Sequence, residues 1–201
     1  VTTEETPLPE RILDAAEVLL RRHGAEKMNV VDIARALGMS HGNVYRHFPS
    51  KKAVLDAVAV RWLNKVSSPL EQIAADQTRP ASERLAEWFH TLRAAKRRKV
   101  LDDPELFRVY HAIAITMRTV ASEHVASLHA QLERIIADGI AAGEFSAGLD
   151  AQVAARAFMQ STMAFHHPLM IMQECPSDEE ARAAFGIILS GLKASPSGLP
   201  R

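Results

Sequence analysis

The chain has 201 residues, of which 47% are hydrophobic, 24% charged and 5% aromatic, and its 24 Lys and Arg balance 24 Asp and Glu for a formal net charge of zero. At ~100–200 residues per domain this is one large domain or a small one joined to a larger one, and it is too apolar for a disordered chain. A lone cysteine, Cys175, excludes a disulfide scaffold, no apolar run nears the ~18 residues of a membrane span, and Val1–Glu10 lacks a secretory-signal pattern, so a cytoplasmic protein with no membrane partner is expected.

Helical spacing dominates, with no period-2 strand and no Asn-Gly or Asp-Gly hairpin turn. Ile12, Leu13, Ala16, Leu19 and Leu20 form the stripe of a first helix that His23-Gly24 ends, glycine being the residue that enters the left-handed region without penalty. Ile33, Ala34 and Leu37 make a short second stripe, with Asn29 at its N-cap and Gly38 as its stop. Ser40 is placed to cap a third, very short helix that carries Val44 and Tyr45 and ends near Phe48-Pro49. Ser50 caps a fourth from about Lys51 to Val66, with Val54, Leu55, Val58 and Trp62 inward.

Ser67-Ser68-Pro69 and Thr78-Arg79-Pro80 punctuate the next stretch and mark a boundary. One helix then spans about 82–99, and another starts at Asp103-Pro104, an N-cap followed by proline at the first helical position. Val125, Leu128, Leu132, Ile135 and Ile140 mark a long helix that stops at Gly143. Asp150 caps one containing Val153, Ala157, Phe158 and Met163, broken by Pro168. The last opens with a capping box, Ser177 to Glu180, and carries Ala181, Ala184, Phe185, Ile188, Leu189 and Leu192. The fold class is therefore all-α, about nine helices. Residues 1–50 read as a helix-turn-helix head, 51–68 as a connecting helix, 69–194 as a larger effector-binding and dimerisation body, and 195–201 as a frayed tail.

The head carries the chemistry. Two short helices separated by Gly38-Met39-Ser40 have the form of a helix-turn-helix, whose second helix must be thin enough at its start to enter a major groove. That helix begins His41-Gly42-Asn43, small or polar throughout. Asn pairs bidentately with adenine and His donates or accepts, whereas Gly42 costs helix propensity and makes sense where another surface comes close. Tyr45, Arg46, His47, Lys51 and Lys52 supply donors suited to phosphates, and the N-cap Ser40 belongs with them to the DNA-binding set. Between Arg21 and Lys65 nine basic residues face three acidic ones, so the zero net charge divides into six positive here and six negative elsewhere, the footprint of a DNA-binding module.

Asp32-Ile33-Ala34, Leu37-Gly38-Met39-Ser40, Gly42, Val44-Tyr45-Arg46-His47-Phe48 and Ser50-Lys51 resemble the N-terminal signature of TetR-family transcriptional regulators, over about residues 9–55. Beyond it the resemblance is one of length and helicity, with Ala142-Gly143-Glu144-Phe145 as a turn common in such proteins. The resemblance implies an all-helical homodimer with a DNA-binding head and an effector-binding body, not an enzyme. By position it implies backbone contacts from Asn29, Tyr45, His47 and Lys51 and base reading by His41, Gly42 and Asn43. Members often have Thr or Ser where Asn29 stands, which keeps a cap, and Thr where Asn43 stands, which bears on the operator read.

Other patterns weigh less. Gly38-Met39-Ser40-His41-Gly42 matches the GxSxG of serine hydrolases, but that elbow needs a strand before it, and a helical stripe precedes it here. His111, His166, His167, Glu174 and Cys175 invite a metal, yet no HxxxH or CxxC spacing organises them, so neither metal nor cofactor is expected. The run Arg93, Lys96, Arg97, Arg98, Lys99 reads as a solvated helix end. Met117, Met159, Met163, Met170 and Met172 lie among Phe158 and Phe165; most read as core, and methionine also lines apolar pockets. Trp88, Phe89, Leu92, Phe107, Tyr110, His111, Met159, Met163 and His166 are the candidates for an apolar effector site. Phe158, Phe185, Ile188, Leu189 and Leu192, near Gly186 and Ser190, are the candidates for a four-helix homodimer interface, since one short recognition helix buries only ~600–1,000 Å².

The expected function is a repressor released from a palindromic DNA operator by a small, apolar ligand. The rival is a helical ligand-binding protein or enzyme with a structural N-terminal bundle. An even spread of positive charge would favour that rival, and a stripe along the third helix would not.

Overall fold

The computed structural model of the chain describes residues 6–102, 107, 111 and 118–194, and every regular element among them is helical. These are α1 (Leu8–Lys27), α2 (Val30–Ala36), α3 (His41–His47), α4 (Lys51–Ala75), α5 (Ala81–Asp102), α6 (Arg118–Ala141), α7 (Ala151–Ser161), α8 (Met163–His166), α9 (Pro168–Gln173) and α10 (Asp178–Lys193). The segment read as one helix from Asp150 to Pro168 divides at Thr162, and Pro168 begins a further short helix instead of ending the region. The start expected at Asp103-Pro104 and the tail 195–201 lie outside the described residues. Among those residues no helix is long and apolar enough to cross a membrane.

The chain divides into two compact units, one of residues up to 64 with 107, 111 and 118–122, the other of 65–102 and 123–194. In the first, Ile12, Leu13, Ala16 and Leu20 of α1 meet Val30, Ile33 and Ala34 of α2, Val44 of α3, and Val54, Val58 and Ala59 of α4. The predicted stripes thus close on one another, with Leu19, Leu37, Leu55 and Trp62 half-buried at their margins. Gly24, at φ 74°, breaks α1 where the sequence places its end, and a last turn to Lys27 follows. Gly38, at φ 64°, ends α2 in a Schellman turn: Met39 N–H donates to Ala34 O at 3.0 Å and Gly38 N–H to Arg35 O at 3.2 Å. That turn sets α3 against α2.

Arg61 of α4 is held by three acids one or two turns apart on α1: Glu10 at 3.0 Å, Asp14 at 2.9 Å and Glu17 at 2.6 Å. Caps are realised unevenly. Ser50 Oγ accepts from Ala53 N–H at 3.0 Å, but Asn29 and Ser40 stand at N-cap positions without accepting a side-chain bond. The Asn29 amide turns instead to donate to Lys27 O at 3.4 Å. The break expected at Ser67-Ser68-Pro69 does not occur, and α4 continues to Ala75 with Pro69 inside it. An interior proline costs about 3 kcal/mol. Val66, Leu70 and Ala74, spaced four apart, are buried in the second core and offset it.

In that core Leu85, Trp88, Phe89 and Leu92 of α5 pack with Leu128, Leu132, Ile135 and Ile136 of α6. Phe89 stacks on Phe185 (centroids 5.7 Å, planes 12° apart) and meets Phe158 and Phe165 edge-on at 6.0 and 5.9 Å. The Trp88 indole donates to Gln131 Oε1 at 2.9 Å. The turn after α6 has three fixed parts. Gly143 is at φ 74°, the Phe145 ring occupies the space a Cβ on Gly139 would need, and Glu144 caps α5 by accepting from Ala81 and Ser82 N–H at 2.7 and 3.0 Å. Asp150 caps α7, and the Ser177–Glu180 capping box opens α10.

Several inner-face expectations are corrected. Val125, Val153, Ala157 and Met163 are exposed, and so are Met170 and Met172; of the second-half methionines only Met159 is buried, and Met117 lies outside the described residues. The short helices α8 and α9 present these methionines outward because Phe165 and Ile171 take the inward positions. The basic run on α5 is not a solvated end: Arg93 and Lys96 are buried, one on each side of the turn that α5 presents to the core.

Candidate nucleic-acid interface

Helix α3 buries one side chain completely, Val44. His41, Gly42, Tyr45, Arg46 and His47 are exposed, as are Ser40 before it and Asn29 before α2, while Asn43 is half-buried with its amide 4.0 Å from Met39 Sδ. Residues 41, 42, 45 and 46 share one face by helical spacing. The His41 and Tyr45 rings meet edge-on, centroids 6.3 Å apart, which fixes both on that face.

Gly42 has no internal reason to be glycine. A Cβ there would meet only Ser40 Oγ, at 3.9 Å, and its φ is not in the left-handed region. Gly38 differs: its positive φ is required by the turn.

The charge of this unit is smaller than the window from Arg21 implies. Glu10, Asp14 and Glu17 lie outside that window, so residues 6–64 hold nine Lys and Arg against six Asp and Glu. Three more cations are answered locally: Arg61 by those acids, Arg35 by Asp32 at 3.1 Å and Lys52 by Asp56 at 2.8 Å. Among the described residues Arg22, Lys27 and Arg46 make no ion pair, and Lys51 Nζ donates to a carbonyl, Glu26 O, at 2.8 Å. Among the described residues Arg11, in the first turn of α1, is unanswered too; the others stand at the end of α1, on α3 and at the start of α4. The four- and three-residue spacing of Glu10, Asp14 and Glu17 is the sequence signal of the three-acid clamp on Arg61.

Residues 12–58 match the profile of the bacterial regulatory proteins of the tetR family, and residues 81–188, more than half the chain, match that of the tetracyclin repressor-like C-terminal domain. The chain belongs to the TetR family. This is a family of regulators, not of enzymes. An HTH-type transcriptional regulator of Mycobacterium tuberculosis is 32% identical over 97 residues, 48% of this chain and 46% of that protein, so the chain aligns with about half the length of this relative. The HTH-type transcriptional repressor KstR2 of Rhodococcus jostii is 26% identical over 154 residues, 75% of this chain and 74% of its own. Among solved structures, SmeT, the repressor of the Stenotrophomonas maltophilia multidrug efflux pump SmeDEF, shares the fold with a TM-score of 0.65, at 24% identity over 99% of this chain and 98% of its own. SmeT has also been solved as a triclosan complex.

The candidate effector residues of this TetR-family chain fall into two groups. Trp88, Phe89, Leu92, Met159 and His166 belong to the second unit and are buried there, with the Trp88 and Phe89 rings both edge-on to Phe158. Phe107 and His111 belong to the first unit, where Phe107 lies 6.4 Å from Trp62 and 5.6 Å from His111. Met163 is exposed and Tyr110 lies outside the described residues. Of the candidate dimer residues, Phe158, Phe185 and Leu192 are buried in the protomer's own core, and Ile188 and Leu189 are half-buried against it. The opposite faces are open: Val153 and Ile187 are 55% and 75% exposed, and nothing lies within 4 Å of a Cβ built on Gly186 or Gly191. Among the described residues no three His, Cys, Asp or Glu gather to hold a metal ion.

Proposed function

We propose that the chain is a homodimeric, ligand-responsive repressor of the cytoplasm that binds a palindromic DNA operator through α3. The observation that carries this reading is Gly42, exposed beside His41 and Asn43, where a side chain is excluded by nothing inside the molecule. A groove floor supplies the missing reason. His41, Gly42 and Asn43 read base edges, and Asn29, Ser40, Tyr45, Arg46, His47 and Lys51 hold phosphates and set register. The unanswered cations near α3 favour this reading over a purely structural N-terminal bundle. The dimer pairs the outward faces of α7 and α10, where Val153, Ala157 and Ile187 are exposed beside Gly186 and Gly191.

An effector in the second unit, an apolar or amphipathic small molecule, shifts the dimer to a state whose two α3 helices no longer match the half-sites. By linkage the operator must weaken effector binding by the same factor. A polarisation titration against the DNA flanking the chain's own gene tests the reading. Salt-dependent, sequence-selective binding by two protomers per site is expected, and binding indifferent to sequence would refute it.

A further inference from the structure

Two cations of α5 lie on its buried face. Arg93 is answered, by Asp178 at 2.6 Å and by Pro176 O at 2.8 Å. Lys96 is not. It sits one turn after Leu92 and one before Val100, both buried, and is itself 8% exposed. Its Nζ makes one hydrogen bond, to His124 Nε2 on α6 at 3.3 Å, and no carboxylate among the described residues pairs with it. Among the described residues the charged neighbours that act on this cluster are basic: Lys99 acts on His124, and Lys96 and His167 act on His166, which donates or accepts at Met159 O.

Burial pushes Lys96 down to about 8, which leaves it mostly protonated at neutral pH. Burial, then Lys96 and Lys99, hold His124 down at about 3. Burial, opposed by the Met159 carbonyl and helped by Lys96 and His167, holds His166 at about 4. Both imidazoles are therefore neutral around one buried ammonium. An ion buried without its counter-charge costs several kcal/mol. Packing alone favours Leu or Met at this position.

We propose that Lys96, oriented by His124, anchors the carboxylate of an amphipathic monoanion whose hydrocarbon part lies along Leu92, Val100 and Phe165. Of the three N–H groups on Nζ one is on His124, which leaves two for a carboxylate. The Lys96 ammonium is the one buried positive charge of the cluster and matches the one negative charge of a carboxylate. This names the chemistry of the effector and so rests on the effector half of the function proposed above, not on its DNA-binding half.

The test is calorimetric titration of the full chain, without DNA, with saturated carboxylates of eight to sixteen carbons and the primary alcohol of each length. For the chain length that fits, the carboxylate is expected to bind the native protein about 10–100-fold more tightly than its alcohol. Lys96→Met should abolish that preference and Lys96→Arg should keep much of it. A native protein that binds no carboxylate, or does not prefer it to the alcohol, overturns the proposal without any variant. A preference that survives in a folded Lys96→Met protein overturns it too. Operator binding is measured separately: DNA binding with no carboxylate preference sinks the anion site and leaves the regulator, and the reverse outcome sinks the regulator and leaves the site.

Discussion

The two units use the same residue types in opposite ways. Around α3, His41, Arg46, His47 and Lys51 stand at or near the surface, where a charge keeps its hydration and costs the fold little. In the second unit Lys96 and His166 are buried and His124 half-buried, and the same chemistry is bought with stability. Surface cations act through a field that any polyanion feels, so selectivity there must come from shape and base edges. A buried cation acts strongly on the few groups packed around it, as Lys96 does on His124 and His166. Changes around α3 should therefore move DNA affinity and leave folding alone, and changes around Lys96 should do the reverse.

The largest expected effect of that division is acid lability of the second unit. His124 and His166 have folded pKa values of about 3 and 4, below the unfolded value of 6.5. The unfolded chain binds protons first, so stability is intact above pH 6.5 and is lost as pH falls toward the folded values, at roughly 1.4 kcal/mol per pH unit for each imidazole. Urea unfolding between pH 7 and 4.5 reads this loss, and His124→Gln should remove about half of it. A pH-independent midpoint in that range would mean the imidazoles are not buried as described.

Next is Lys96→Met. The folded lysine titrates near 8 against 10.5 unfolded, a burden present below pH 8 and relieved as pH rises to 10.5. The substitution should raise stability at pH 7 by about 3 kcal/mol and flatten the rise between pH 8 and 10, with operator affinity unchanged. Thermal melts across that range measure both.

Gly42→Leu inverts the pattern. With open space around its Cβ, the melting temperature should hold or rise slightly, glycine being a poor helix residue by about 1 kcal/mol, while operator binding falls by about 100-fold or more. A joint loss of fold and binding would break the contrast. Asn43→Ala should cost about 1–3 kcal/mol on the preferred site and relax preference at one base position. Smallest is Arg46→Ala, which should weaken all sequences alike and lower the salt dependence by about one phosphate contact.

The sequence was most legible where local rules and packing agree. The stripes of α1 and α2, the glycine stops at Gly24, Gly38 and Gly143, and the capping box of α10 all follow from short-range chemistry that the tertiary fold does not override. It was least legible where a long-range partner decides. Pro69 sits inside α4 because Val66, Leu70 and Ala74 are buried by helices distant in sequence. Lys96 falls four residues from Leu92 and from Val100, a spacing that marks the apolar face, but a run of five cations read as one solvated end. The dimer candidates failed to separate for the same reason: an amphipathic stripe says which face is apolar and not whether its partner is the protomer's own core, which here takes Phe158, Phe185 and Leu192.

The central claim is that α3 reads DNA as one of a symmetric pair. Selecting bound sequences from a fully randomised duplex pool, at physiological salt and without added ligand, measures this directly. The account predicts an inverted repeat with half-site centres about one helical turn, or a multiple of it, apart, and loss of that motif in Gly42→Leu. Enrichment of no motif by the native protein, or of one that Gly42→Leu enriches equally well, would contradict it.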